Sequence, residues 1–282
     1  MERAERAELR RAAELIAHSK KMLAFTGAGI SRESGVPTFR GEGGLWEKID
    51  PGVLEISRFN RDPEGCWRAI RELFYRASPR PVPNAAHRVL AEWEARGILS
   101  FLVTQNIDGL HREAGSRRIA EFHGSLAALV CTRCGERVEV RAEALEAGLL
   151  DHLPPRCSAP RGDTPREALP DAEPDSAGSP EGPGSLCGAV LKPDFVFFGE
   201  GIPREAYSAA YAAAQEADLC LIIGSTGVVY PAAEIPVLVK QNGGAIIEID
   251  PSATEFTSTV SDLHLAMGAV EALTLLDGLL RG

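Results

Sequence analysis

Residues 21–41, KMLAFTGAGISRESGVPTFRG, carry the reading of the fold. The apolar run Met22 to Phe25 stops at a loop containing Gly27 and Gly29. Continuous apolar runs of this length, bounded by glycine, are what strands buried on both faces of a mostly parallel sheet need. The glycines would let the main chain approach a pyrophosphate closely, and they equally suit a structural turn. The loop is not a regular G-x-G-x-x-G, and no acidic residue is placed at the end of a second strand as the dinucleotide fingerprint has it.

The same pattern of strand and polar loop recurs in GILSFLVTQNID (97–108), ADLCLIIGSTG (217–227) and GGAIIEIDPS (243–252). Between these runs lie helical segments, and the first, residues 3 to about 20, spaces Leu9, Ala12, Ala13, Leu15 and Ile16 as one apolar face. The expectation is an α/β fold, a Rossmann-like parallel sheet with helices on both faces. Ligands of such sheets bind in the loops that leave the C-terminal ends of the strands. Residues 1–41, 88–126 and 193–282 are assigned to this Rossmann-like domain. Two insertions build a smaller one: a helical module at 42–87 and a cysteine-bearing module at 127–192.

The chain has 282 residues and a formal charge of −10, so it lacks the basic footprint of a nonspecific nucleic-acid binder. Its N-terminus is charged throughout, without the apolar core of a signal peptide, and no apolar run approaches the roughly 18 residues of a membrane span. The expected location is cytoplasmic. There, clustered cysteines read as metal ligands rather than disulfides.

The blocks GAGIS with GVPTFRG, TQNIDGLH, FHG, KPDFVFFGE and GSTGVVYPAAEIP stand in an order and spacing that resembles the sirtuins, the NAD-dependent protein-lysine deacylases. The resemblance runs from about residue 20 to 275. It implies a reaction in which NAD and an acylated lysine give nicotinamide, free lysine and O-acyl-ADP-ribose. It also implies the residues that serve it. Asn106 would hold ribose or a bound water, Asp108 would accept from the nicotinamide carboxamide, and His123 would act as general base on a ribose hydroxyl, a task suited to an imidazole. Around the cofactor the resemblance places Gly27, Ala28, Gly29, Ile30, Thr38, Phe39, Arg40, Trp46, Gln105, Ile107, Gly224, Ser225, Thr226 and Ala269. Many sirtuins have Asn where this chain has Asp250; a carboxylate there accepts from ribose hydroxyls and repels a 2′-phosphate, favouring NAD over NADP. His111 reads as structural, and His87 has no motif that supports a chemical role.

For the substrate, Val196, Phe197, Phe198, Gly199 and Glu200, with Val228 and Val229, look like the strand edges that clamp an extended acyl-lysine peptide through its main chain. Sirtuins that remove succinyl and malonyl groups carry a Tyr-x-x-Arg pair for the distal carboxylate. Counted from Trp67 those positions hold Ile70 and Leu73, and counted from Tyr75 the arginine position holds Ser78, so either way an apolar acyl channel is expected, with acetyl or longer neutral acyl groups as substrates. Arg76 or Arg80 offers a route to acidic acyl groups. Mono-ADP-ribosyl transfer and a non-enzymatic NAD-sensing scaffold are the remaining alternatives.

Cys131 and Cys134, in CTRCG, have the knuckle spacing of a zinc ribbon. The family's second pair stands two to four residues apart, whereas Cys157 and Cys187 are separated by 29 residues. Those residues, 158–186, include six Pro and six Asp or Glu, a composition that reads as a disordered acidic insertion. Loop closure grows only logarithmically with length, on the order of 1–2 kcal/mol here. The four cysteines are therefore expected to hold one structural zinc.

Overall fold

The computed structural model describes residues 3–38, 44–47, 49–76, 79–160 and 186–282. Among the described residues nine strands follow in chain order: β1 Met22–Thr26, β2 Leu99–Thr104, β3 Ile119–Glu121, β4 Gly124–Cys131, β5 Arg137–Glu139, β6 Leu191–Phe195, β7 Leu219–Ile223, β8 Ala245–Ile249 and β9 Leu263–Leu265. The chain divides into two compact units, one of residues 1–48, 81–123 and 202–282, the other of 49–80 and 124–201.

The first unit is built on a six-stranded sheet in the order β3-β2-β1-β7-β8-β9, with every neighbouring pair parallel. Counted within the sheet, this is the doubly wound order 3-2-1-4-5-6, and the order reverses between β1 and β7. All five residues of β1 and of β7 are buried, because helices cover both faces. The alternation of a strand divides them: Met22 and Ala24 join Leu9, Ile16, Leu90, Trp93, Leu273 and Leu276 on one face. Leu23 and Phe25 join Ala210, Ala214, Ile235, Val239 and Phe256 on the other. The helix expected at the N-terminus is Arg3–His18, and Leu9, Ala12, Ala13 and Ile16 are among its buried positions.

The second unit holds the three-stranded antiparallel sheet β5-β4-β6 and the helix Pro63–Ile70, which continues as a π-helical turn over Arg71–Tyr75. Trp67 and Ile70 of that helix are fully buried, and the Trp67 indole N–H donates to the Leu191 carbonyl at 2.8 Å. Among the described residues no helix is long and apolar enough to cross a membrane.

Candidate active site

Where the sheet order reverses, the loops after β1 and β7 meet main chain to main chain. A Cβ on Gly29 would lie 2.5 Å from the Gly224 Cα, and one on Gly27 would lie 2.6 Å from the Gly224 oxygen. The Gly29 N–H donates to the Gly224 carbonyl at 2.9 Å, and Gly224 itself has φ +61. These glycines are needed for loop-on-loop packing. The pyrophosphate approach read from the sequence is thus not their sole demand, and the Gly29 N–H is already engaged.

Around this point the first unit gathers a buried polar cluster. The Ser31 hydroxyl donates to Asp108 Oδ2 at 2.7 Å and receives the Asn106 side-chain amide at 3.2 Å. Asn106, 6% exposed, also donates to the Gly27 carbonyl, and its own N–H is held by the Thr104 hydroxyl. Asp108 Oδ1 accepts from the Leu110 N–H at 2.9 Å. Burial pushes its carboxyl up, against the pull of these two hydrogen bonds.

Behind the cluster stand two histidines for which the sequence suggested no chemistry. His87 is fully buried and His111 is 2% exposed, with ring centres 4.8 Å apart. His87 Nε2 lies 3.3 Å from the Ser31 hydroxyl. On its other side, His87 Nδ1 lies 3.0 Å from Asn84 Oδ1 and 3.3 Å from the Asn84 N–H. Burial, with Arg88 adding to it, holds His87 down at about 4, and burial holds His111 well below the ordinary histidine value. His111 Nε2 meets the Thr26 hydroxyl at 2.9 Å, and Thr26 bonds Thr104. A sequence signal for His87 does exist: Asn84 caps the helix Ala85–Ala95 and His87 closes the box from its third position. Asn84 also ties the Ile30 carbonyl at 2.8 Å.

His123 follows β3, and its Nδ1 lies 3.1 Å from the Gln105 carbonyl. A carbonyl can only accept, so Nδ1 is protonated and Nε2 carries the lone pair. Burial lowers the His123 pKa, with the Gln105 hydrogen bond opposing. Gln105, expected beside the cofactor, donates from its side chain to the Ser225 hydroxyl at 2.8 Å and so links the β2 and β7 loops.

Other expected cofactor residues fall in the same unit. Ile30 is fully buried, Ala28, Thr38 and Ile107 are half-buried, and Ala269 begins the helix Ala269–Arg281. Thr226 accepts from the Glu255 N–H through its carbonyl. Asp250, at the end of β8, takes the Ser252 N–H at 3.0 Å. Burial and then Glu248 push the Asp250 carboxyl up, against His264 and Arg32. Phe39, Arg40 and the side chain of Trp46 lie outside the described residues, as does the stretch 161–185 of the acidic insertion.

In the second unit Cys131, Cys134, Cys157 and Cys187 bring their sulfurs within 4.8 Å of one another. Cys131–Cys187 and Cys134–Cys157 are 3.6 and 3.7 Å apart. A tetrahedron with metal–sulfur bonds of about 2.3 Å has edges of about 3.8 Å, so the spacing is that of a closed four-thiolate zinc site. The Arg133 and Cys134 N–H groups point at the Cys131 sulfur, as in a knuckle that stabilises a thiolate. The cluster fits a structural zinc. The two distant cysteines are joined by an antiparallel ladder: Cys157 N–H to Ala189, Cys187 N–H to Ala159, and a bridge between Pro160 and Leu186. The insertion read as 158–186 therefore has ordered ends.

Within the stretch 196–200 the side chains divide between the interior and the surface. Phe197 is 1% exposed and packs on Phe195 and Phe59, so its ring belongs to the interior. Glu200 is turned inward onto Lys192 and the Phe197 N–H. Phe198 remains outward, 46% exposed, beside Val196 and Gly199. In the first unit Val228 is 44% exposed, and Val229 is half-buried, with its carbonyl accepting from Ala233. Ile70 is fully buried and Leu73 half-buried.

The Sir2 family model matches residues 27–231. The chain belongs to the Sir2 family. Among its Sir2-family relatives, an NAD-dependent protein deacylase of Aeropyrum pernix is 40% identical over 92% of each chain. An NAD-dependent protein deacetylase of Caldivirga maquilingensis is 38% identical over 94% of this chain and 91% of its own. A mutant Sir2 homologue solved with ADP-ribose is similar at TM-score 0.79 and 35% identity, covering 96% of both chains. A Sir2–p53 peptide–NAD+ complex is similar at TM-score 0.75 and 30% identity, covering 96% of this chain and 98% of its own.

Proposed function

We propose that this Sir2-family protein removes acetyl and longer neutral acyl groups from protein lysines, consuming NAD and water and releasing nicotinamide, free lysine and O-acyl-ADP-ribose. The observation that carries the reading is the His123 tautomer. Its Nδ1–H is fixed on the Gln105 carbonyl, which leaves Nε2 as a base, and burial keeps the ring neutral at pH 7. Bound NAD supplies a ribose carbon that becomes electrophilic as nicotinamide departs. Asp108, held by Ser31 and Leu110, would accept from the nicotinamide carboxamide. Asn106, clamped by Gly27, Ser31 and Thr104, would fix ribose or a water. Asp250 would accept from the adenosine ribose hydroxyls. His123 Nε2 would take the proton of the ribose hydroxyl that attacks the acylated centre. Transfer of ADP-ribose to a protein side chain would not need this base.

The acyl preference rests on Ile70 and Leu73, which offer no partner for a distal carboxylate. Arg76 is already paired with Glu72 at 2.9 Å. Substrates are acyl-lysine proteins; the net charge of −10 supports neither nucleic acid nor an anionic membrane as partner. The proposed location, the cytoplasm, is a reducing compartment that keeps the four zinc-site cysteines free of disulfides. The test compares acetyl-, myristoyl- and succinyl-lysine on one peptide, with and without NAD, in the parent and in His123→Ala. Nicotinamide release that needs NAD, an acyl-lysine and His123 is expected. Fastest turnover of the succinyl peptide would sink the apolar channel, and unchanged deacylation by His123→Ala would sink the mechanism.

A further inference from the structure

We propose that Lys192 and Glu200 are positioning residues for the acylated peptide, their buried ion pair holding the turn Phe195–Glu200 in the form that turns Phe198 outward. This rests on the reading of residues 196–200 as a peptide-binding edge.

The Lys192 ammonium bonds both ends of the segment. It donates to the Phe195 carbonyl at 2.9 Å and to Glu200 Oε2 at 2.9 Å, and it lies 4.7 Å from the centre of the Phe197 ring. The same Glu200 oxygen accepts from the Phe197 N–H at 2.8 Å, and the Glu200 N–H returns to the Phe197 carbonyl at 3.0 Å. Both side chains are nearly covered, at 6% and 14% exposure. Two charges withdrawn from water gain little stability over an apolar pair of the same shape. What the pair supplies that an apolar pair would not is direction: two hydrogen bonds aimed at named main-chain atoms, the Phe195 carbonyl and the Phe197 N–H.

Those bonds decide which groups the segment can offer. The Phe197 N–H and carbonyl are both engaged by Glu200, and Phe198 donates to the Leu54 carbonyl and accepts from the Ile56 N–H. The chain then reverses at Gly199, whose φ of +89 suits glycine. With the main chain of Phe197 and Phe198 committed, a peptide must add through Val196 or Gly199. Their placement follows from the turn that Glu200 closes. Without the ion pair the Phe195 carbonyl loses its donor and the side chain at 200 loses the charge that holds it inward, so the segment samples other forms, which weakens peptide binding and leaves bound NAD untouched.

The test uses the full zinc-loaded chain with an acetyl-lysine peptide, and compares the parent with Lys192→Met, Lys192→Arg and the neutral pair Lys192→Met/Glu200→Gln. The neutral pair should fold, raise the peptide KM roughly tenfold and leave kcat and the NAD KM within about twofold, the pattern of lost uniform binding. Lys192→Arg, which keeps charge and donors, should recover most of the affinity lost in Lys192→Met. Hydrogen exchange on the parent should show a protected Phe197 amide. A folded neutral pair with the parent's peptide KM, or an unprotected Phe197 amide in the parent, would overturn the proposal. A parent that releases no nicotinamide with any acyl-lysine peptide refutes the proposed function instead, while the exchange measurement still reads the hold on the turn.

Discussion

Acidification should strip the first unit of stability through His87, before its surface carboxylates are neutralised. A histidine held at about 4 in the fold and near 6.5 when unfolded binds fewer protons folded than unfolded between those values. Its contribution is therefore fully present above pH 6.5 and is lost as the pH falls toward 4. At about 1.4 kcal/mol for each unit of pH, the difference amounts to about 3 kcal/mol, of which about 2 kcal/mol is gone by pH 5. That is a large share of the 5–15 kcal/mol typical of a domain. His111, buried deeper and pushed the same way, adds to the slope. Zinc release also destabilises at low pH, so the informative quantity is a difference. Urea unfolding of the parent and of His87→Gln, each at pH 7.5, 6 and 5, should converge as the pH falls, the parent losing about 2 kcal/mol more than the variant. Imidazole NMR should show His87 still neutral at pH 5. Parallel losses in the two proteins, or a His87 resonance titrating near 6.5, would refute the argument.

Deacylation should keep its base well into mild acid, because burial lowers His123: the acid limb of kcat/KM is expected below pH 6.5, and a limb above 7 would contradict the burial argument. Cys187→Ser should take bound zinc from about one per chain to none by elemental analysis, whereas replacing residues 161–185 with a short turn should keep it, since Pro160 and Leu186 already face each other. Asp250→Asn should narrow the kcat/KM preference for NAD over NADP at least tenfold, about 1.4 kcal/mol, modest beside the ~4 kcal/mol of two unit charges 4 Å apart at an effective dielectric of ~20. An unchanged ratio would remove Asp250 from cofactor selection.

The sequence by itself determined the parallel sheet and the family, because these are local or ordered along the chain. Apolar runs ending in glycine are strands for reasons of burial, and blocks such as TQNIDGLH keep their spacing whatever the fold does with them. Even Cys157 and Cys187 were legible as one site across 29 residues, since a metal needs four thiolates wherever they come from. What the sequence could not rank was which polar residues face which. His87 and His111 looked inert because their partners, Ser31 and Thr26, lie 56 and 85 positions away. Gly29 looked like a phosphate loop residue because its clash with Gly224 crosses two strands. Glu200 looked like a substrate contact because nothing in KPDFVFFGE says that the lysine at its start turns to meet the glutamate at its end. Hydrogen bonds and charge pairs are short-ranged and directional, so only the tertiary structure decides which of the candidates each will join.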